Sequence, residues 1–301
     1  MPKDLLEIAK TDLKAVEILY ENKLYPQSLF YFQQSVEKTN KCLAMLTGNL
    51  EETELKRIGH VPTRIVTSQV ASEKEKVRKF IEILSKYPKL RKLRMFRNYN
   101  FDKYLRELGK SLLQLQKLEK KKDEIVFIPK RQLQFIITYL EKERKTKLKP
   151  ITKFKIMKIK KIILQDLASI RELNPAKIDT ERQRVEEIDS TDLVNIMKEI
   201  QKFLIHFIPT YVSLVYLAIV TLPHSSCTRY PENVIIPNKF YVAKLPIIEL
   251  LPKFMRIQSA CLGDVEELVG LAVSAPRLDA KSDKPFKVYG KVKTKLNFHE
   301  G

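Results

Sequence analysis

The chain has 301 residues with only 7 glycines but 56 lysines and arginines, which favours long helices over strands joined by tight turns. Its formal net charge of +20 is concentrated between Lys89 and Lys161, where 24 basic residues stand against 7 acidic ones. A surplus this local is typical of a surface that meets phosphates or anionic lipid, although charged runs also occur as plain solvated faces.

The three cysteines, Cys42, Cys227 and Cys261, show no regular spacing. This argues against a disulfide framework and fits a reducing compartment, so we expect a cytoplasmic protein. The N-terminus is charged and amphipathic from its first residues, which predicts that no signal peptide is present.

The first two predicted helices form a hairpin. Apolar residues recur at helical spacing across residues 4–21 and again across residues 24–48. Pro26 falls in the first turn of the second helix, and Gly48 stands where a left-handed cap is needed. Because only residues 22–24 connect the two helices, we expect them to pack antiparallel.

The second helix carries a polar row beside its apolar face. Gln34, Lys38 and Lys41 follow one another at spacings of four and three residues, with Gln33 and Glu37 beside them. Such a row is either an ordinary solvated face or a set of amides and charges that is held for a ligand or partner.

Residues 25–43, YPQSLFYFQQSVEKTNKCL, resemble the second helix of HEPN domains. The shared pattern is tyrosine–proline, then glutamine–glutamine, a small residue, valine, glutamate–lysine and a later lysine. Gly59 and His60 resemble the glycine–histidine that opens the family's third element, and residues 228–231, TRYP, resemble a motif near its end. The resemblance implies an all-α, HEPN-like antiparallel helical bundle that forms a homodimer. It also implies RNA or a nucleotide as ligand, a nucleotidyltransferase as a candidate partner, and no cofactor.

His60 has two interpretations. It is either a ligand or proton carrier, or a residue that caps a helix or satisfies a buried carbonyl. Residues 73–85 then predict a further helix, which Tyr87 and Pro88 interrupt.

A second resemblance concerns Arg97, Asn98, Asp102 and Tyr104. HEPN ribonucleases carry an arginine, usually followed by a polar residue, and a histidine four to six positions later; toxins of the family add a tyrosine two positions after that histidine. Arg97, Asn98 and Tyr104 have this spacing, but Asp102 stands where the histidine belongs. A carboxyl with a pKa near ~4 is a poor proton donor at pH 7, so the standard catalytic pair is missing.

Residues 123–189 are interpreted as a basic insertion and linker. Within residues 153–163, KFKIMKIKKII fits a strand or a helix equally well. The predicted basic surface comprises Lys153, Lys155, Lys158, Lys160 and Lys161. It suits contacts along a nucleic-acid backbone or docking on a membrane surface. Aromatic residues are sparse in this insertion, which gives little support for base stacking.

Residues 203–222 contain no formal charge and are long enough to span a bilayer. His206 and Pro209 place polar atoms in the first half of this stretch, and the HEPN resemblance implies a buried helix here. We therefore expect a core helix that packs on the first two helices, with a membrane span as the alternative.

A polar turn with His224, Arg229 and Tyr230 follows this helix. Arginine offers a bidentate fork for phosphate, and tyrosine offers stacking and a hydroxyl, so these residues are candidates for binding a nucleotide or RNA. The alternative is that Arg229 pairs with a structural carboxylate such as Glu37, with Tyr230 packed. His224 and Cys227 alone are a weak zinc signal, and no metal site is predicted.

The predicted architecture is a bundle from residues 1–122 and 190–275, interrupted by the insertion at 123–189 and followed by a mobile basic tail at 276–301. The first functional hypothesis is a non-catalytic module that binds nucleic acid or a nucleotide. The second is a metal-independent ribonuclease of a toxin or defence system, in which Arg97 holds the phosphate and His60 or His224 replaces the missing histidine. The third is a membrane-associated helical protein. No phosphate-binding loop or nucleophile elbow is present to support another enzyme class.

Overall fold

The fold is all helical. The computed structural model describes residues 2–50, 53–54, 58–59, 62–97, 99–120, 128–145, 152–230 and 235–274. Of these residues, 87% are helical and none forms a β-strand, which confirms the predicted all-α class. The long helices within the described residues are α1 (Pro2–Glu21), α2 (Tyr25–Leu46), α3 (Pro62–Lys86), α4 (Phe101–Lys120), α5 (Lys130–Lys145), α6 (Lys153–Ser169), α7 (Pro175–Glu187), α8 (Ser190–Thr221) and α9 (Pro246–Ser274). Shorter helical turns include Pro88–Arg91, Arg94–Arg97, Arg171–Leu173, His224–Cys227 and Pro237–Phe240.

The chain divides into two compact units. Unit 1 comprises Met1–Gln69, Gln114–Thr146 and His206–Gly301, and unit 2 comprises Val70–Leu113 and Lys147–Ile205. The predicted domain limits at residues 122, 189 and 275 do not coincide with these divisions and stay predictions. The predicted tail at residues 276–301 lies outside the described residues.

In unit 1, α1 and α2 form the predicted antiparallel hairpin. Lys23 in the connection adopts a left-handed φ of +61°. Small hydroxyl side chains hold the two helices close together. Ser28 Oγ donates to the carbonyl of Val16 at 3.0 Å, and Ser35 Oγ donates to the carbonyl of Ala9 at 2.8 Å.

The apolar face of α2 forms the centre of unit 1. Leu29, Phe32 and Val36 recur at helical spacing, and all three are fully buried. Burial of side chains this large stabilises a fold by roughly 1.5–3 kcal/mol each. The helix ends at Leu46, and Gly48 adopts the predicted left-handed conformation with φ +65°.

The last long helix, α9, packs against both members of the hairpin. Buried Gln258 donates through Nε2 to Ser35 Oγ at 3.0 Å and to Thr39 Oγ1 at 2.8 Å. At the surface, Lys10 of α1 pairs with Glu266 of α9 at 2.8 Å. Helices α1, α2 and α9 therefore form a three-helix core whose members are joined by these polar contacts.

Helix α8 is buried only towards its C-terminal end. Leu214 and Leu217 are fully buried, whereas Ile205 and Ile208 are 43% and 44% exposed. Within unit 1, α8 contacts α2, since Asn40 Nδ2 lies 3.4 Å from the carbonyl oxygen of Leu214. Among the described residues, the stretch 191–221 is long and apolar enough to cross a bilayer by length and composition, and 33% of its most apolar window is buried.

Unit 2 contains an aromatic cluster. The rings of Phe80, Phe96 and Phe101 meet edge to face at centroid distances of 5.2–6.0 Å. These contacts hold the turn Arg94–Arg97 against the end of α3 and the start of α4. Each aromatic pair in this geometry stabilises the fold by about 0.5–1.5 kcal/mol.

The segment 153–163 is helical and forms the first part of α6. Thr152 caps the helix, with its Oγ1 accepting from the backbone N–H of Lys155 at 3.4 Å. Ile156 is 1% exposed and faces the interior. Lys160 Nζ donates to the carbonyls of Glu186 and Ile188 at 3.0 and 2.7 Å, which fastens α6 to the C-terminal end of α7.

Candidate nucleic-acid interface

The polar row of α2 is engaged inside unit 1. Lys41 is 9% exposed, and its Nζ donates to Glu37 Oε1 at 2.6 Å and to the carbonyl of Gly59 at 3.0 Å. Lys38 donates to Asp12 Oδ2 at 2.6 Å and to Gln34 Oε1 at 3.2 Å. The ammonium groups of both lysines are therefore held by acceptors within the protein.

His224 lies in the interior of unit 1. It is 2% exposed, and its Nδ1 is hydrogen-bonded to the hydroxyl of Tyr241 at 2.9 Å. Burial lowers the pKa of His224 from 6.5 to about 3, so the ring is neutral at pH 7. The adjoining cavity, lined also by Leu133 and Ile247, has a volume of about 130 Å³. Ligand pockets typically span roughly 300–1,000 Å³, so this cavity is too small for a nucleotide.

Arg229 and Tyr230 lie at the surface. The guanidinium carbon of Arg229 is 5.1 Å from the ring centroid of Phe30 and 5.5 Å from that of Tyr230. Tyr230 is 60% exposed. The pair therefore forms an accessible cation–aromatic stack, which is compatible with the predicted role in nucleotide or RNA binding.

A second histidine of unit 1 belongs to a polar cluster that the sequence did not reveal. Asp264 accepts from Arg144 Nη2 at 2.6 Å and from Thr210 Oγ1 at 2.8 Å, and its other oxygen lies 2.8 Å from His206 Nδ1. These residues, the Asp264 cluster, join α5, α8 and α9. Cys261 is buried beside them, with its Sγ 3.7 Å from Arg144 Nη1.

The described residues that resemble the ribonuclease motif lie in unit 2. Arg97 ends its helical turn and is exposed. Asp102 lies in the first turn of α4 and pairs with Arg91 at 2.9 Å. Tyr104 is partly buried, and this burial raises the pKa of its phenol. Asn98 and His60, the other predicted members of this site, lie outside the described residues.

Unit 2 brings together two strongly basic stretches. Residues 89–106 contain 7 basic residues and 1 acidic residue, and residues 153–161 contain 5 basic residues and no acidic one. Arg94 of the first stretch contacts α6, the helix that carries the second stretch. Its backbone N–H donates to Asp166 Oδ1 at 3.2 Å, and its Nη1 donates to Gln165 Oε1 at 2.8 Å. The turn that carries Arg97 is thereby fixed to α6.

Most cations of these stretches point into solvent. We give the name basic surface to seven of the exposed cations that form no ion pair among the described residues. It comprises Arg97, Lys103, Arg106, Lys153, Lys155, Lys158 and Lys161. Lys160, also predicted to belong here, is instead committed to the carbonyls at the end of α7.

Two exposed aromatic residues accompany the basic surface, and sequence reasoning missed their exposure. Phe154 is 79% exposed and Tyr99 is 50% exposed. The available signal was local: Phe154 stands between Lys153 and Lys155, and Tyr99 follows Arg97 by two residues. Within the described residues, no group of histidine, cysteine or acidic side chains is placed to hold a metal ion.

Comparison with known protein families gives a match over part of the chain. The sequence model of the HEPN domain matches residues 2–117, a range that begins in α1 and ends in α4. No curated protein and no solved structure matches the chain. A HEPN domain points to a nucleic-acid-related or ribonuclease-like function.

Proposed function

We propose that the chain, whose residues 2–117 match the HEPN domain, binds RNA through the basic surface of unit 2 and does not cleave it. The observation that carries the proposal is the set of seven exposed cations without ion pairs among the described residues. They lie on two stretches of unit 2, and Arg94 of the first stretch is hydrogen-bonded to Gln165 and Asp166 of α6, which carries the second.

Lysine and arginine side chains that meet phosphates release condensed counterions, so affinity falls with salt. For single strands the slope of log K against log salt is roughly −0.7 per neutralised phosphate. If all seven cations of the basic surface each meet one phosphate, the expected slope is about −5. Between 50 and 200 mM salt, this corresponds to a loss of affinity on the order of 10³-fold.

The proposed absence of cleavage is supported by the placement of the acid–base groups among the described residues, which do not include His60. Asp102 replaces the histidine of the motif and is ion-paired with Arg91. His224 is buried and neutral, at a cavity too small for a nucleotide, so it cannot serve as the missing proton carrier there. His206 is part of the Asp264 cluster of unit 1.

The test is incubation of the purified protein with labelled single-stranded RNA in EDTA across a salt series. We expect binding that weakens steeply with salt and RNA that stays intact. Cleavage in EDTA that disappears in Arg97→Ala would overturn the non-catalytic part of the proposal. Failure to bind at 50 mM salt would overturn the binding part. Lys14→Gln, at an exposed position of α1 in unit 1, is the matched control and should not change the affinity.

A further inference from the structure

We propose that the basic surface, in its proposed role of RNA binding, selects unpaired strands because bases stack on Phe154 and Tyr99. Exposed cations alone recognise the phosphates of single and double strands alike. An exposed aromatic ring adds a platform that only an unstacked base can reach. The inference rests on the proposed function and deepens it by naming the class of RNA.

Phe154 is displayed on the outer face of α6. Met157, Lys158 and Lys161 follow it at spacings of three, four and seven residues, and all four side chains are exposed. Residues at these spacings share one side of a helix. Ile156 is 1% exposed and occupies the opposite side, which packs into unit 2. A phenyl ring that is 79% exposed makes no contribution to this core, and it leaves its face open for a base.

Tyr99 is a second platform, and its orientation is fixed by neighbouring rings. Its centroid is 4.4 Å from that of Phe101 and 5.9 Å from that of Tyr104. Half of Tyr99 remains exposed. Because the ring is held in place before a base arrives, stacking on it costs little additional side-chain entropy. Arg97 and Lys103, both exposed, stand on either side of it in the sequence and supply phosphate contacts.

The arrangement of α6 favours an RNA strand over a lipid surface. A helix that lies in a membrane interface presents a wide apolar face, with its cations on the polar side. Here Lys158 and Lys161 lie on the same face as Phe154, so the other exposed apolar side chains of α6, Met157 and Ile159, are interspersed with cations. Aromatic and cationic groups on one face match the alternating bases and phosphates of an unpaired strand.

The chain contains no tryptophan, so Phe154→Trp creates a single fluorescent reporter at the proposed platform. We expect its emission to be quenched by single-stranded RNA and to be unchanged by a duplex of the same sequence. In fluorescence anisotropy with labelled RNA at fixed salt, the unaltered protein should bind the single strand at least about tenfold more tightly than the duplex.

Phe154→Ala and Tyr99→Ala should each weaken single-strand binding by roughly five- to tenfold and leave duplex binding within about twofold. Phe135→Ala is the matched control, because Phe135 is 70% exposed on α5 of unit 1, outside the basic surface. Lys158→Gln should weaken single-strand and duplex binding by the same factor. Far-ultraviolet circular dichroism would verify that each variant keeps its helices.

The outcomes separate this inference from the proposed function. Equal affinity for both forms of RNA, with no effect of Phe154→Ala, overturns the stacking inference and leaves RNA binding in place. No binding of either form overturns both. Binding to vesicles that contain anionic phosphatidylserine, lost in Phe154→Ala and without quenching by RNA, assigns the exposed ring to lipid and also overturns the inference.

Discussion

Replacement of Asp264 by asparagine should destabilise unit 1 by about 3–5 kcal/mol. The carboxylate is 16% exposed and is hydrogen-bonded by three side chains that come from α5 and α8. A hydrogen bond to a charged group contributes roughly 1.5–3 kcal/mol, and each remaining bond adds about 1 kcal/mol. Asparagine has the same shape as aspartate but no charge. Its amide N–H group would also face one of the three side chains that donate to Asp264, so two donors would oppose each other.

Urea denaturation followed by circular dichroism at 222 nm reports the helices of both units. Thiol labelling reports unit 1 alone, because Cys42, Cys227 and Cys261 are all buried there. We expect Asp264→Asn to lower the free energy of opening of unit 1, which thiol labelling measures, by about 3–5 kcal/mol.

The matched control for this prediction is Asp179→Asn. Asp179 also pairs with an arginine, but its side chain is 44% exposed, and surface pairs contribute only about 0–1 kcal/mol. A cost for Asp264→Asn no larger than that for Asp179→Asn would refute the assignment of the Asp264 cluster as a structural link.

Three further predictions concern acid stability, salt dependence and the polar row of α2. Because the pKa of His224 is lowered to about 3 in the fold, its contribution to stability is complete above pH 6.5 and is lost as the pH falls. Between pH 7 and 5, the free energy of unfolding, measured by urea denaturation, should fall by about 2 kcal/mol more in the unaltered protein than in His224→Gln. An equal fall in both proteins would contradict this prediction. Lys158→Gln combined with Lys161→Gln should make the salt slope of RNA binding shallower by about 1.4, whereas an unchanged slope would remove both lysines from the interface. Lys38→Gln should lower the free energy of unfolding by about 1–2 kcal/mol, because it breaks the partly buried ion pair with Asp12, and should leave RNA affinity unchanged. Loss of RNA affinity without loss of stability would indicate instead that Lys38 binds RNA.

The sequence predicted the hairpin because its signals are local. Apolar spacing, the proline in the first turn of α2 and the left-handed Gly48 each act within a few residues. The segment 153–163 was ambiguous because its isoleucines and lysines satisfy both periodicities. The helix is stabilised by the Thr152 cap and by the hydrogen bonds of Lys160 to the end of α7. The acceptors of Lys160 lie 26 and 28 residues further along the chain.

The candidate site was less predictable because burial reverses the usual expectation for its residues. Lysine is expected outside and phenylalanine inside, yet Lys41 is 9% exposed and Phe154 is 79% exposed. The acceptors of Lys41 include the carbonyl of Gly59, 18 residues away, and the acceptor of Lys38 is 26 residues away on α1. Sequence periodicity places these lysines on one side of a helix but cannot tell which groups that side meets.

The charged residues that stabilise the fold and those proposed to bind RNA lie in different units. The difference between them is whether acceptors within the protein neutralise their charge. The polar side chains of α2 find acceptors inside unit 1, so their charges contribute to packing. The basic surface of unit 2 lacks such acceptors among the described residues, so its charges are available to a polyanion. Residues Arg97, Lys103 and Arg106 lie inside the range that matches the HEPN domain, whereas α6 lies outside it. In the proposed interface, the HEPN match therefore supplies one basic stretch and Tyr99, and a helix beyond the match supplies the second stretch and Phe154.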